Sequence, residues 1–368
     1  MSTEFDVKQL PELLDFNYGH IQKSRERQRR FWCGEKVVPP LIFIGGKLAK
    51  KQENIPDYNF AEIFNDKAKM LCWEVKAACA VANGHSDAIP SIRANLGTGV
   101  LLACLGLEQE SFPDKMPWLR EHLNKEQISK LSASDIKPRG SFARGLEIMH
   151  YYKEIMGDSI PVYVMDTQGP FDLAHLILGD ELFIQLYDDP AFVHHLMDIC
   201  FELSVKCTNW MKEVINEPSE SLHHASMYSE NFGIRICEDT AVMLNLDHIE
   251  EFVTAYSSRL AREFGGAWVH YCGYHEGLTD SILRCPEVKV LNFGLIPGHE
   301  SEINFEKNME KFEKAGKINY NWWPKYPDES IEEYLTRLHG FADRGILAPI
   351  LTGVGETEKL LAFWNKLS

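Results

Sequence analysis

Eight short apolar runs, bounded by turn residues and separated by stretches of helical spacing, constrain this chain more than any other feature. They occupy residues 37–46, 89–96, 160–166, 224–230, 267–272, 288–293, 317–322 and 347–352. Helical patterns fill the intervals, among them 58–83, 171–186, 189–215, 247–264, 276–283, 305–314 and 331–342, and a last one covers 357–366. Strand followed by helix, eight times over with no break in composition, predicts an α/β protein built as a single (β/α)8 TIM barrel. A doubly wound open sheet is the alternative, but no GxGxxG follows the first run. Residues 5–32 read as a helical arm, so 1–35 is expected to be an N-terminal helical extension and 36–368 the barrel.

The 368 residues, 45% of them hydrophobic, suffice for one large core. A net charge of −16, from 38 basic and 54 acidic side chains, argues against nucleic acid as a partner. The one basic run, Lys23 to Arg30, is short and broken by Glu26. No apolar run reaches the ~18 residues of a membrane span. The acidic N-terminus lacks the apolar segment of a signal peptide, and nine scattered cysteines form no tight framework. Both features predict a cytoplasmic protein with reduced thiols.

Barrel enzymes carry their chemistry where the strands end. Here those ends are Gly45-Gly46, Asn95 with Thr98, Asp166 with Gln168, Tyr228 with Glu230, His270 with Cys272, Asn292, Asn321 with Trp322 and Trp323, and Gly353. In the run from Ala267 to Gly273, strand alternation sets His270 and Cys272 on one side, and Gly273 permits a sharp turn. An imidazole and a thiol on one face are two donors of a zinc site; a core cysteine beside a satisfied histidine is the competing reading. Further donors would come from His223, His224, Glu230, Cys237, Glu238, Asp239 or His275. Asp166, Tyr228 and Glu230 are candidate catalytic residues. Asn95, Gln168, Asn292, Asn321 and Trp322 are candidate substrate contacts, with Trp322 able to wall a flat ligand. No GxSxG, HExxH, CxxC or Walker A is present.

Several segments together resemble the uroporphyrinogen decarboxylase superfamily over about residues 24 to 366. They are SIRANLGTG with the later LGLE, GPFDLAHLILGDELFIQLYDDPAFVHHLMD, CEDTAVMLNLDHIEEFVTAY and WVHYCG. The resemblance implies a (β/α)8 barrel and one of two chemistries: cofactor-free decarboxylation of uroporphyrinogen, or zinc-assisted methyl transfer to or from a cobamide. The decarboxylases' arginine-rich stretch after the first strand falls on Phe43 to Leu48, which holds no arginine. Their tyrosine falls on Leu176 and their late histidine on Val354. An octa-anionic substrate without guanidinium forks is disfavoured. The methyltransferase branch's His-x-Cys matches His270 and Cys272, while its third ligand, a cysteine, falls on Val354. Glu230, His223 and Glu238 are the expected substitutes, Glu230 foremost.

The resemblance thus predicts a methyltransferase that binds Zn2+ through His270, Cys272 and Glu230 and serves a small methylated or thiol substrate. The cobamide would ride on a separate corrinoid protein, since no DxHxxG module occurs here, and residues 216–224 would rim the docking surface. Two alternatives stay open: a metal-free decarboxylase or lyase using Asp166 and Tyr228, and a non-catalytic binding protein on the same scaffold.

Overall fold

A computed structural model describes residues 5–216, 226–230, 232–295, 303–351 and 357–368. Its main sheet is parallel and runs in the order β1 (Ile42–Phe43), β8 (Leu347–Leu351), β7 (Ile318–Asn321), β6 (Val288–Phe293), β5 (Ala267–Tyr271), β4 (Ile234–Cys237). β1 lies beside β8, with Ile42 opposite Ile350, so the sheet curls back toward its own start.

Extended segments 89–96 and 160–166 close the remaining gap without regular ladders. Asp87 N–H donates to the Leu41 carbonyl (3.0 Å), Tyr163 N–H to Ile92 (2.9 Å), and Gly169 N–H to Cys237 (2.6 Å). The result is the predicted (β/α)8 barrel. A two-stranded hairpin of β2 (Gln109–Glu110) and β3 (Trp118–Leu119) stands outside it. Among the described residues no helix is long and apolar enough to cross a membrane.

The fourth strand is a correction. The expected run 224–230 begins in residues outside the described ones, and its remainder is no barrel strand: Ser226 makes an isolated antiparallel bridge to Ile89. The barrel strand is β4, whose Arg235 and Cys237 pair with Trp268 and His270 of β5. Its alternation is plain once located. Ile234 and Ile236 join the apolar layer under the helices, whereas Arg235 lies over the Trp268 ring, inside the barrel. Four residues around an arginine give too short and too polar a period to stand out.

The helix Tyr18–Trp32 closes the end of the barrel where the strands begin. Asn17 caps it by accepting the His20 N–H. Gln28, fully buried, donates to the carbonyls of Asp87 and Ser226 and accepts the N–H of Tyr228, so its amide ties the helix to the strand entrances. Trp32 then enters the barrel interior and packs edge-on against Phe232 and Tyr320, at 6.2 and 6.0 Å between ring centroids. Ile42, Val290, Ala348 and Ile350 complete that inner cluster. The opposite end, where the strands finish, carries the His270 group of polar side chains.

Candidate functional site

The strand finishes bring four potential donors together. Ligand atoms of Cys237, Asp239 and His270 all lie within 4.8 Å of one another. The Cys272 sulfur stands 3.5 Å from His270 Nε2, and His270 Nε2 is 3.6 Å from Asp239 Oδ1. Each donor has a local reason to be there. Cys237 ends β4 on the interior face, opposite His270 in register. Asp239 follows it by two residues and accepts the Cys272 N–H (2.7 Å), locking the loop after β4 to the loop after β5. Gly273, at φ +81°, then turns the chain away.

His270 is oriented by its other nitrogen. The Asn292 side-chain N–H2 donates to the Tyr320 carbonyl and to Asn321 Oδ1, so its oxygen is the group facing His270 Nδ1. That network assigns the proton to Nδ1 and leaves the Nε2 lone pair directed at Cys272 and Asp239. Burial, reinforced by the Arg235 charge, lowers the imidazole pKa and favours the neutral form. Burial likewise pushes the Cys272 thiol up to about 11 and raises the Cys237 thiol well above its ordinary range.

The loop carrying Cys237 and Asp239 is itself clamped. Asp172, at the start of the helix Pro170–Leu178, accepts the N–H groups of Asp239 (2.9 Å) and Thr240 (2.8 Å). Glu238, fully buried, accepts the Asp172 N–H and the Ser257 hydroxyl. A Cβ on Gly169 would lie 2.2 Å from the Glu238 carboxyl, so glycine is required there. Burial raises both carboxyls, Asp172 to about 7 and Glu238 well above its ordinary range.

Several expected site residues lie elsewhere. Glu230 is exposed at the strand entrances, bonded to the Tyr228 hydroxyl (2.8 Å), and the Tyr228 ring faces Arg25 of the closing helix at 4.3 Å. Both sit at the wrong end of the barrel to join His270, because the fourth strand starts only after them. Glu238 is spent on Asp172 and Ser257, and His275 accepts the Leu278 N–H as a helix cap. His223, His224, Gly353 and Val354 lie outside the described residues, as does most of the expected rim 216–224.

The other expected contacts surround the mouth. Asp166 accepts from two arginines, Arg93 (3.0 Å) and Arg235 (2.9 Å), which tie its carboxylate to the barrel wall. Asn95 donates to Glu74 (3.3 Å) while its own oxygen is buried without a partner. Gln168 is buried beside Gly169. Asn321 accepts from Asn292 and from the Trp322 N–H, while its Nδ2 is buried and unpaired. Trp322 packs on the inner cluster, whereas Trp323 faces the helical layer and donates to Asn319. Arg93 and Arg235 were not among the expected site residues. The alternation of β4 was the signal that could have found Arg235.

A donor set of this kind at the strand ends of a (β/α)8 barrel defines the class: a barrel protein with a candidate metal-binding mouth. The particular family follows from comparison. The family model for uroporphyrinogen decarboxylase (URO-D) matches residues 23–312, and the chain belongs to that family. Among solved structures it is similar to a methyltransferase from Methanosarcina mazei, at 16% identity and a TM-score of 0.65, over 93% of this chain and 98% of that one. No curated protein matches.

Proposed function

We propose that this chain is a zinc-assisted methyltransferase, moving a methyl group between a small methylated or thiol substrate and a cobamide carried by a separate corrinoid protein. The observation that carries the reading is His270: its Nδ1 is anchored by Asn292, and its Nε2 faces Cys237, Asp239 and Cys272. Nitrogen and thiolate donors with one carboxylate suit zinc, and tetrahedral bonds of 2.0–2.3 Å put ligand atoms roughly 3.3–3.8 Å apart. The 3.5 and 3.6 Å separations around His270 Nε2 fit. In this assignment Cys237 and Asp239 take the place given to Glu230 on sequence grounds.

When bound there, zinc supplies Lewis acidity, holding a thiol as its thiolate or polarising a methylated heteroatom. The chain's own residues do the rest. Asn292 keeps the imidazole in one tautomer and one orientation. Asp172 and Glu238 fix the loop that carries two of the donors. Cys272, the exposed member, faces the side from which a substrate arrives. Trp322 and the inner cluster close the floor against water. Similarity to the Methanosarcina mazei methyltransferase and the absence of arginines over residues 43–48 support methyl transfer over uroporphyrinogen decarboxylation.

The test is demethylation of methylcobalamin by zinc-loaded protein with 2-mercaptoethanol or 3-mercaptopropionate as acceptor, followed by the change in cobalamin absorbance. The reading expects turnover that His270→Ala and Cys237→Ser abolish. Protein that binds no zinc and shows no demethylation with either thiol would refute it.

A further inference from the structure

A hollow of about 230 Å³ lies at the end of the barrel where the strands begin, between the helix Tyr18–Trp32 and the turn Gly157–Ser159. The His270 donor set is at the opposite end. Phe16, Ile21, Ile89 and Pro90 give the hollow apolar walls. The Tyr18 hydroxyl donates to the Ser159 carbonyl (3.2 Å) and so pins the turn to the helix. Gln28, fully buried, ties the same helix to the strand entrances. The walls therefore belong to elements held in place before any ligand arrives.

Two opposite charges line this hollow, and neither is spent. Arg25 reaches it from the helix and Asp158 from the turn. Among the described residues neither side chain forms an ion pair or a hydrogen bond, with the other or with any third group. The Arg25 guanidinium lies over the Tyr228 ring at 4.3 Å, a contact that holds the group in place and uses none of its N–H donors. The neighbouring cation, Lys153, is committed to the carbonyls of Val214 (2.9 Å) and Ile215 (2.6 Å).

The two charges select by sign. A simple acid would pair with Arg25 but bring a second carboxylate beside Asp158. A simple amine would pair with Asp158 but bring a second cation beside Arg25. A molecule that carries both signs within a few bonds satisfies both. The apolar walls call for an apolar remainder. Size is set by volume: drug-sized ligands fill roughly 300–1,000 Å³, so this hollow takes something smaller.

We infer that this hollow is a binding site for an apolar α-amino acid, taken up as the zwitterion. The carboxylate meets the Arg25 guanidinium, which is shaped to fork it. The ammonium meets the Asp158 carboxylate. The side chain lies on Ile21, Ile89 and Pro90. The site shares no residue with the His270 donor set, so it stands or falls independently of the metal-centred reading.

Calorimetric titration of the full chain tests each charge separately, at about pH 6.5 so that an α-amine is protonated. The probes are L-leucine and L-phenylalanine, their amides, which lack the carboxylate, and 4-methylpentanoate and 3-phenylpropionate, which lack the amine. Each amino acid should bind at least about tenfold tighter than its amide, the worth of one charge-assisted fork. It should bind at least about threefold tighter than the matching acid, a smaller margin because Asp158 is exposed. Arg25→Gln should remove the first preference and Asp158→Asn the second, with the zinc content of both variants at the parent level. Asp158→Asn, on an exposed turn, carries the test if Arg25→Gln does not fold.

Amino acids that bind no tighter than their amides and acids overturn the site. So does a preference that survives both Arg25→Gln and Asp158→Asn, and so does failure of both amino acids to bind. Glycine serves as the zwitterion without a side chain, and glycine binding as tightly as leucine overturns the role given to the apolar walls.

Discussion

Trp32→Ala tests whether the N-terminal helix is a working part of the barrel or an appendage. The indole is 6% exposed and inserts among Phe232, Tyr320 and Phe31 in the interior. An aromatic of this size removes on the order of 200 Å² from water, about 5 kcal/mol at 25 cal/mol per Å², an upper figure because the unfolded chain is partly compact. Truncation to alanine therefore costs about 3–5 kcal/mol, as large aromatic deletions do when a cavity stays open. Its Nε1 has no hydrogen-bond partner, so Trp32→Phe loses no polar contact and costs under about 1.5 kcal/mol. Urea unfolding followed by fluorescence and far-UV dichroism gives both numbers. The His270 donor set lies at the far end, so metal binding by folded Trp32→Ala should match the parent within about twofold, a neutral outcome for a site this distant. A Trp32→Ala cost below about 1 kcal/mol would refute the claim that this helix plugs the barrel.

The remaining predictions concern the mouth and its supports. Asn292→Leu removes the acceptor for His270 Nδ1 and should weaken zinc affinity about 10–100-fold in a chelator competition, whereas Asn292→Asp, which keeps an oxygen there, should recover most of it. Gly169→Ala drives a methyl into the Glu238 carboxyl and should destabilise the protein by about 1–3 kcal/mol in the same urea assay. Glu276 is held down at about 2 by hydrogen bonds from Lys311 and Lys307. Its folded pKa lies below its unfolded one, so its contribution is present above about pH 4.5 and is lost as the pH falls toward 2. Glu276→Gln should flatten that part of the stability–pH curve, with an effect at pH 7 under about 1 kcal/mol that added salt reduces, since the pair is exposed.

How far the sequence carried can be read from particular segments. The runs at 267–272, 288–293, 317–322 and 347–352 coincide closely with β5 to β8, because each is apolar, β-branched or aromatic, and preceded by a helix of clear period. Segments 89–96 and 160–166 occupy barrel positions but pair by single bridges, a matter of tertiary closure that no local pattern encodes. The fourth strand went astray because Ser226 to Tyr228 alternates like a strand while Ile234–Cys237 is four residues long with an arginine inside.

That displacement moved the site reading with it. Glu230 was preferred as a donor because a strand was expected to end there, while Cys237 and Asp239 stood among several candidates with nothing to rank them. Asn292 was legible as a polar strand-end group, but its bond to His270 depends on the β5–β6 register. Arg93 and Arg235 are read as a pair only when Asp166 is seen between them, and that contact joins β4 to two extended segments far apart in sequence.

Metal content tests the central claim most directly. Protein purified without a metal-affinity tag, analysed by plasma mass spectrometry beside His270→Ala, Cys237→Ser and Glu230→Gln, should carry about one zinc per chain in the parent and in Glu230→Gln. It should carry essentially none in His270→Ala and far less in Cys237→Ser. Zinc absent from the parent, or retained in full by His270→Ala, would contradict the account.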